Sequence, residues 1–268
     1  MTRFAGKKAV VVGASAEGGT GWVIAERLAR EGADVVVAAR NLASLQRLAD
    51  RIKGHAVRCD ASKPEDIAAL AQECAKQPGR VDIAIYAAGW PQAGTIASTT
   101  PADLMEALGV NFMGPFCFVR SIAEVMNDGG AITVISSLAS TNVVPGQVAY
   151  ACAKAATNLM MRYAAVELAS HGIRANVVVP SLIATPMSEP FRAMPGVLDA
   201  VLKEVPLKRA ATADDIAAAC LWLSSDECFA TGAWLPVDGG HNLRRAPYPE
   251  DFPKGAYESI DSEKEGQR

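Results

Sequence analysis

Residues 8–30 read KAVVVGASAEGGTGWVIAERLAR, and their pattern decides the fold. Lys8 to Gly13 is a short, β-branched apolar run, the signature of a buried strand. From Gly21 to Glu31, Val23, Ile24, Leu28 and Ala29 share one helical face. Between the two lies a turn carrying Gly13, Gly18, Gly19 and Gly21. A strand that passes through glycines directly into a helix is the opening of a βαβ unit. Glycines let the backbone approach another group closely, and a helix N-terminus offers free N–H groups and a positive dipole end.

Outward from this unit, apolar runs alternate with amphipathic stretches. Strands are expected at Asp34–Ala39, Ala56–Cys59, Val81–Tyr86, Ala131–Ser136, Arg174–Val179 and Trp234–Val237. Helices are expected at Leu42–Ile52, Pro64–Cys74, within Pro101–Met126, at Tyr150–Ser170 and at Thr212–Ser224. Pro64 suits a first helical turn, and Thr212 with Asp215 suits a weakened capping box. Continuous Val/Ile/Ala strands between helices imply an α/β fold. Its core is a doubly wound, Rossmann-like parallel sheet of about seven strands with helices on both faces. No repeat or linker divides residues 1–241, which are read as a single domain. Residues 242–268 are rich in Pro, Glu, Lys and Ser. This tail is expected to be disordered or to lie along the surface, the alternative being an arm over a neighbouring subunit or the active site.

Composition excludes several classes. The chain has 268 residues, half of them hydrophobic, and a net charge of −3. No basic patch points to nucleic acid or an acidic membrane surface. No run approaches the roughly 18 apolar residues of a membrane span, and the N-terminal apolar run is too short for a signal segment. A cytoplasmic location is expected. Cys59, Cys74, Cys117, Cys152, Cys220 and Cys228 lie in apolar stretches without a CxxC pair, so buried reduced thiols are expected. His55, His171 and His241 show no ligand spacing, and no metal is expected.

The glycine turn reads as a dinucleotide site, with Gly13, Ser15, Gly19, Thr20 and Gly21 against the pyrophosphate. The second strand ends at Ala38, Ala39, Arg40, where a carboxylate would repel a 2′-phosphate and a guanidinium can pair with one. Arg40 favours NADP(H). Glu17 in the loop argues the other way, and NAD(H) is the alternative. Further along, VAYACAKAATNLMMRYAAVEL (148–168) puts Tyr150 and Lys154 on one helical face. The strand ending in ISSLAS (135–140) brings Ser136 and Ser137 to the carboxyl edge of the sheet, where open α/β sheets bind ligands.

These spaced motifs together resemble the short-chain dehydrogenase/reductase family over about residues 5–240. The resemblance rests on YACAK (150–154), Ser137 thirteen positions before Tyr150, Asn111 in LGVNFMG and Asp60 in RCDAS. It also rests on VVVPSLIATPM (177–187) and the ending ATGAWLPVDGGH (230–241). It implies Tyr150 as general acid/base, Ser137 holding the substrate oxygen, Lys154 on the nicotinamide ribose and Asn111 on a water linking Lys154 to solvent. It further implies Asp60 and Ala61 at the adenine, Ala88 and Gly89 along the cofactor, and Pro180, Ile183 and Thr185 near the carboxamide. A tyrosine is scarcely ionised at neutral pH, and a nearby ammonium favours its phenolate. The implied activity is NAD(P)-dependent interconversion of a secondary alcohol and a ketone, as a carbonyl reductase or alcohol dehydrogenase. A homodimer or homotetramer is implied, with Phe116, Phe118, Met160 and Met161 as interface or core residues.

Three positions depart from the family pattern. Val12 stands for the usual threonine, and the glycine turn is about two residues longer. The family's NNAG reads YAAG (86–89), and Ser181 replaces the glycine of the PG pair. An altered glycine turn also resembles the enoyl reductases of the superfamily. Those space tyrosine and lysine by seven, and the position seven before Lys154 is Gln147. A carbon–carbon double-bond reductase and a non-catalytic dinucleotide sensor are therefore the alternatives. Trp90, Leu138, Val143, Val144, Gln147, Met187, Phe191 and Met194 are the expected pocket wall. It suits a small neutral apolar or aromatic carbonyl compound or alcohol.

Overall fold

The computed structural model describes residues 2–252. The first half runs β1 (Lys8–Val12), α1 (Thr20–Arg30), β2 (Asp34–Ala39), α2 (Leu42–Ile52), β3 (His55–Arg58), α3 (Pro64–Lys76), β4 (Val81–Tyr86) and α4 (Pro101–Leu108). The second half runs α5 (Gly114–Ala123), β5 (Met126–Ile135), α6 (Val148–Glu167), β6 (Arg174–Pro180), β7 (Ile183–Ala184), α7 (Glu189–Ala193), α8 (Val197–Glu204), β8 (Ala211–Thr212), α9 (Ala213–Ser224) and β9 (Trp234–Val237). Seven strands form one sheet in the order β3-β2-β1-β4-β5-β6-β9, every neighbouring pair parallel. The order reverses between β1 and β4, which opens a crevice at the carboxyl edge.

The continuous apolar strands bury both faces. Val10, Val12, Val36 and Ala38 point into a core shared with α3, α5 and α6. Ala9, Val11, Val35 and Val37 point into the opposite core, closed by α1, α2 and α9. On α1 the buried face is Trp22, Ile24, Ala25 and Leu28, while Val23 is only half-buried. Thr212 and Asp215 form a full capping box on α9, with Asp215 N donating to Thr212 Oγ1 at 3.1 Å and Thr212 N to Asp215 Oδ2 at 2.7 Å.

The long helix expected within Pro101–Met126 is interrupted. Between α4 and α5, Gly109–Met113 winds as a π-helical turn. Pro115 has no N–H to return to the Asn111 carbonyl four residues back, so the regular ladder cannot pass this point. Thr157 Oγ1 on α6 donates to that carbonyl instead, at 2.6 Å. The break places Asn111, fully buried, against α6.

Two further differences bear on function. Residues 181–211, unassigned by periodicity, fold into the β7–β8 pair and the short helices α7 and α8. The polar tail is not separate from the domain over its described part. Ala246 and Pro247 are buried, and Asn142 Nδ2 donates to the Arg244 carbonyl at 2.8 Å. The rest of the tail lies outside the described residues. Cys152 is exposed on the outer side of α6 and Cys117 is half-buried, whereas Cys59, Cys74, Cys220 and Cys228 are buried as expected. Among the described residues no helix is long and apolar enough to cross a membrane.

Candidate active site

A cavity of about 450 Å³ lies at the carboxyl edge, over the crevice between β1 and β4. Its floor is the glycine turn. Gly13 has φ +90°, and a Cβ there would meet Ala88 N at 2.5 Å. Gly13 N donates to the Ala38 carbonyl at 2.7 Å and Ala87 N to the Val12 carbonyl at 2.8 Å, so β1, β2 and β4 converge on this point. A Cβ on Gly21 would lie 2.4 Å from the Gly13 carbonyl oxygen, so α1 can start this close to β1 only with glycine. The extra length of the loop is taken up in a turn closed by Gly19 N on the Ala16 carbonyl at 2.8 Å. Gly18, at φ +73° with open space around it, lies at the tip of that turn, while Gly19, Thr20 and Gly21 line the cavity. Gly19 caps α1 without a side-chain hydrogen bond, leaving the first N–H groups free.

The side chains of α6 and the end of β5 meet above this floor. Tyr150 and Ser137 line the cavity, and the Ser137 hydroxyl is close enough to Tyr150 to act on its phenol. Ser137 Oγ also accepts from Ala139 N at 3.2 Å, which fixes its rotamer. One turn along α6, Lys154 is buried, with Nζ 5.7 Å from the Tyr150 ring centroid and donating to the Ile135 carbonyl at 2.9 Å. Burial lowers the Lys154 ammonium to about 8. Burial raises the Tyr150 phenol, with the Ser137 hydrogen bond pulling the other way. The expected depression of the phenol by Lys154 is not found here: burial dominates, and Ser137 alone works against it. The phenol carries its proton at neutral pH.

Asn111 is built into the same group. Its Nδ2 donates to the carbonyls of Trp90 at 3.0 Å and Ala107 at 3.1 Å, and its Oδ1 accepts from Trp90 N at 3.3 Å. A Cβ on Gly89 would lie 3.2 Å from both Asn111 Oδ1 and Lys154 Nζ, so the three groups are packed together. Tyr86, in the place of the first asparagine of NNAG, donates its hydroxyl to the Val110 carbonyl at 2.8 Å. It thereby ties the end of β4 to the π-helical turn that carries Asn111.

The sequence profile of the family described as "Enoyl-(Acyl carrier protein) reductase" matches residues 13–242. An uncharacterised oxidoreductase of Mycobacterium bovis is 34% identical over 242 residues, covering 87% of this chain and 96% of that protein. A short-chain type dehydrogenase/reductase from Mycobacterium ulcerans superposes with a TM-score of 0.88 at 26% identity, over 91% of this chain and 93% of its own. A dehydrogenase/reductase from Sinorhizobium meliloti gives 0.83 at 34% identity, over 89% and 96%. The chain belongs to the short-chain dehydrogenase/reductase family. It is an oxidoreductase, and the family uses NAD(P)(H).

The residues present fit that cofactor. The turn at Gly13, Gly19 and Gly21 lines the cavity, its tight backbone approach leaves no room for a Cβ at the first or last position, and it adjoins the free end of α1. Ala88, Gly89, Pro180, Ile183 and Thr185 line the same cavity as Tyr150 and Lys154. Ser15 does not line the cavity, and its carbonyl accepts from Ser44 Oγ at 2.5 Å. Asp60 and Ala61 follow β3 beyond the cavity wall, and Asp60 Oδ1 accepts from Ser62 N at 3.1 Å and Ser62 Oγ at 2.8 Å. Burial works to raise the Asp60 carboxyl, but the Ser62 hydrogen bonds and the Arg40 and Lys63 charges hold it below its ordinary value. Arg40 is exposed at the end of β2, close enough to act on Asp60. Glu17 is turned toward Arg51, 3.9 Å away.

On the substrate side, Leu138, Val144, Gln147, Met187 and Phe191 line the cavity. Trp90, Val143 and Met194 do not. Trp90 contributes its backbone to Asn111 while its side chain is half exposed, and Val143 lies at a turn with 78% of its surface in solvent. Sequence reasoning missed His241, Val201 and the trio Ala246, Pro247 and Phe252, all of them on the wall. His241 is buried with Nδ1 2.5 Å from Ser181 Oγ, so the serine that replaces the family glycine has a partner. The signal was GG immediately before His241. Gly239 and Gly240 both adopt positive φ, turning the chain back over the carboxyl edge.

Proposed function

We propose that this oxidoreductase interconverts a ketone and a secondary alcohol, with Tyr150 moving the proton. The observation that carries the reading is that Ser137 and Tyr150 share the cavity wall, with buried Lys154 5.7 Å from the tyrosine ring centroid. A carbonyl oxygen seated between these two hydroxyls receives a hydrogen bond from Ser137 and a proton from Tyr150. The raised phenol suits the donor role. The Lys154 ammonium favours the phenolate left behind, and Asn111, tied to Trp90 and Ala107, holds a water toward Lys154. Lys154 and the glycine cradle hold the dinucleotide, which supplies or accepts the hydride. In the alcohol direction the same phenol is the base.

The enoyl description of the matching profile names the second reading, reduction of a carbon–carbon double bond. Gln147 stands where a tyrosine seven before the lysine is required, and Tyr150 four before it favours carbonyl chemistry. Arg40 with no carboxylate at the β2 tip supports NADP(H) over NAD(H). Leu138, Val144, Met187 and Phe191 support a small neutral apolar or aromatic substrate. Phe116, Met113, Leu159, Tyr163 and Val166 are exposed on and around α5 and α6, whereas Phe118 and Met161 are core. The exposed set supports a homodimer or homotetramer through these helices.

The test is a nicotinamide absorbance assay with a panel of ketones and enones. Ketones are expected to be reduced with NADPH preferred over NADH. Arg40→Asp is expected to weaken turnover with NADPH roughly tenfold and leave NADH as the better reductant. Turnover of enones alone would overturn the reading, and tight cofactor binding without turnover would favour a dinucleotide sensor.

A further inference from the structure

The described part of the tail shares a cavity with the proposed catalytic group. Ala246, Pro247 and Phe252 line the same space as Tyr150 and Ser137, facing Phe191 and Val201 from α7 and α8. Ala246 and Pro247 are buried although the segment around them is polar. Six of the eight residues 243–250 are exposed, and the two turned inward are these. A segment that merely followed the surface would not bury Ala246 and Pro247 in a ligand cavity.

The segment is held from both sides. Internally, Arg245 and Asp251 form a bidentate pair, with Arg245 Nη2 2.9 Å from Asp251 Oδ1. Asp251 Oδ2 also accepts from Tyr248 N at 2.8 Å, and the Arg245 guanidinium lies 5.1 Å from the Tyr248 ring centroid. Externally, the carboxylate of Glu204 on α8 is buried. It takes Arg244 Nε at 2.8 Å and has Arg245 Nη2 at 3.7 Å. A buried carboxylate keeps its charge only where cations meet it, and both of its cations come from this segment. From the loop after β5, Asn142 Nδ2 donates to the Arg244 carbonyl at 2.8 Å.

We infer that residues 244–252 form a strap that sets the largest substrate the cavity accepts, with Phe252 and Pro247 as specificity-determining residues and Glu204 as the positioning residue that latches the strap to α8. The ligand class is a small neutral ketone whose far end abuts Pro247 and Phe252. Bulkier ketones are excluded by the strap and not by the catalytic group. The inference rests on the carbonyl reading only for its choice of probes.

The experiment uses the full chain loaded with NADPH and a size series of cyclohexanone, acetophenone, 2-decalone and benzophenone. The readout is the ratio of kcat/KM for 2-decalone to that for cyclohexanone. Phe252→Ala is expected to raise the ratio roughly tenfold, the scale set by opening a hydrophobic pocket by a few carbons. Glu204→Gln is expected to raise it in the same direction, roughly threefold, and Glu204→Asp, which keeps the charge, to stay nearer the wild type. A purely structural role for Glu204 would lower both substrates together and leave the ratio unchanged. Calorimetric binding of the same two ketones to the protein loaded with NADP+, which has no hydride to give, reads the strap without turnover. If the wild type reduces no ketone, the carbonyl reading fails by itself, and the shift in the binding ratio still decides the strap. Ratios that stay at the wild-type value in both Phe252→Ala and Glu204→Gln, by turnover or by binding, overturn the inference.

Discussion

Tyr150→Phe is expected to lower kcat for ketone reduction by roughly 10²–10⁴-fold, the usual contribution of a positioned proton donor. The ring still packs in the cavity wall beside Lys154, and the lost partner is one hydroxyl on Ser137, which keeps its bond from Ala139 N. The cost in stability is therefore about 1 kcal/mol. Dinucleotide affinity, measured by quenching of protein fluorescence, is expected to stay within roughly threefold, because the glycine cradle and Lys154 are unaltered. Normal turnover in this variant would remove Tyr150 from the mechanism. Loss of cofactor binding together with turnover would make its role structural.

Gly21→Val acts on the other half of the site. Its Cβ would lie 2.4 Å from the Gly13 carbonyl oxygen, 2.8 Å from the Gly13 carbonyl carbon and 3.2 Å from Ala14 Cα, all of them backbone atoms of the turn. The turn can accommodate the side chain only by moving α1 away from β1. Dinucleotide binding is expected to be lost, with a destabilisation of about 1–3 kcal/mol from overpacking, seen as a lower Tm. Gly18→Ala is the control. Nothing lies within 4 Å of a Cβ there, and the penalty is confined to φ +73°, about 1 kcal/mol. It is expected to keep cofactor binding. Equal losses in the two variants would mean that the loop tip, and not the α1–β1 contact, holds the dinucleotide.

The parallel sheet was legible because its strands bury both faces and so carry uninterrupted apolar runs, as in Val10–Val12 and Val35–Ala38. That Ser137, Tyr150 and Lys154, the proposed catalytic trio, meet at one cavity was legible because a spacing of four on a helix and a serine at a strand end are local patterns. The break at Asn111 was not, since it depends on what Pro115 fails to donate and on a hydroxyl from Thr157, 46 positions away. Val143 and Trp90 were misplaced for a related reason. Both flank the cavity in sequence, but side-chain direction in a turn is set by the loop and not by periodicity. Composition favoured a surface or disordered tail and left an arm over the active site as the alternative, without the residues that would form it. Ala246, Pro247 and Phe252 are sparse apolar residues in a charged tail, and the contacts of Arg244 and Arg245 with Glu204 and of Arg244 with Asn142 are long-range partners that no local pattern shows. The substitution of Ser181 for glycine became intelligible only once His241 was found beside it.

The most direct test of carbonyl chemistry is the product formed from one substrate that offers both reducible bonds. With NADPH and 4-phenyl-3-buten-2-one, proton delivery from Tyr150 to the carbonyl oxygen predicts the allylic alcohol, 4-phenyl-3-buten-2-ol, identified by gas chromatography of the single-turnover mixture. Accumulation of the saturated ketone, 4-phenyl-2-butanone, would contradict it and make the carbon–carbon double bond the true target.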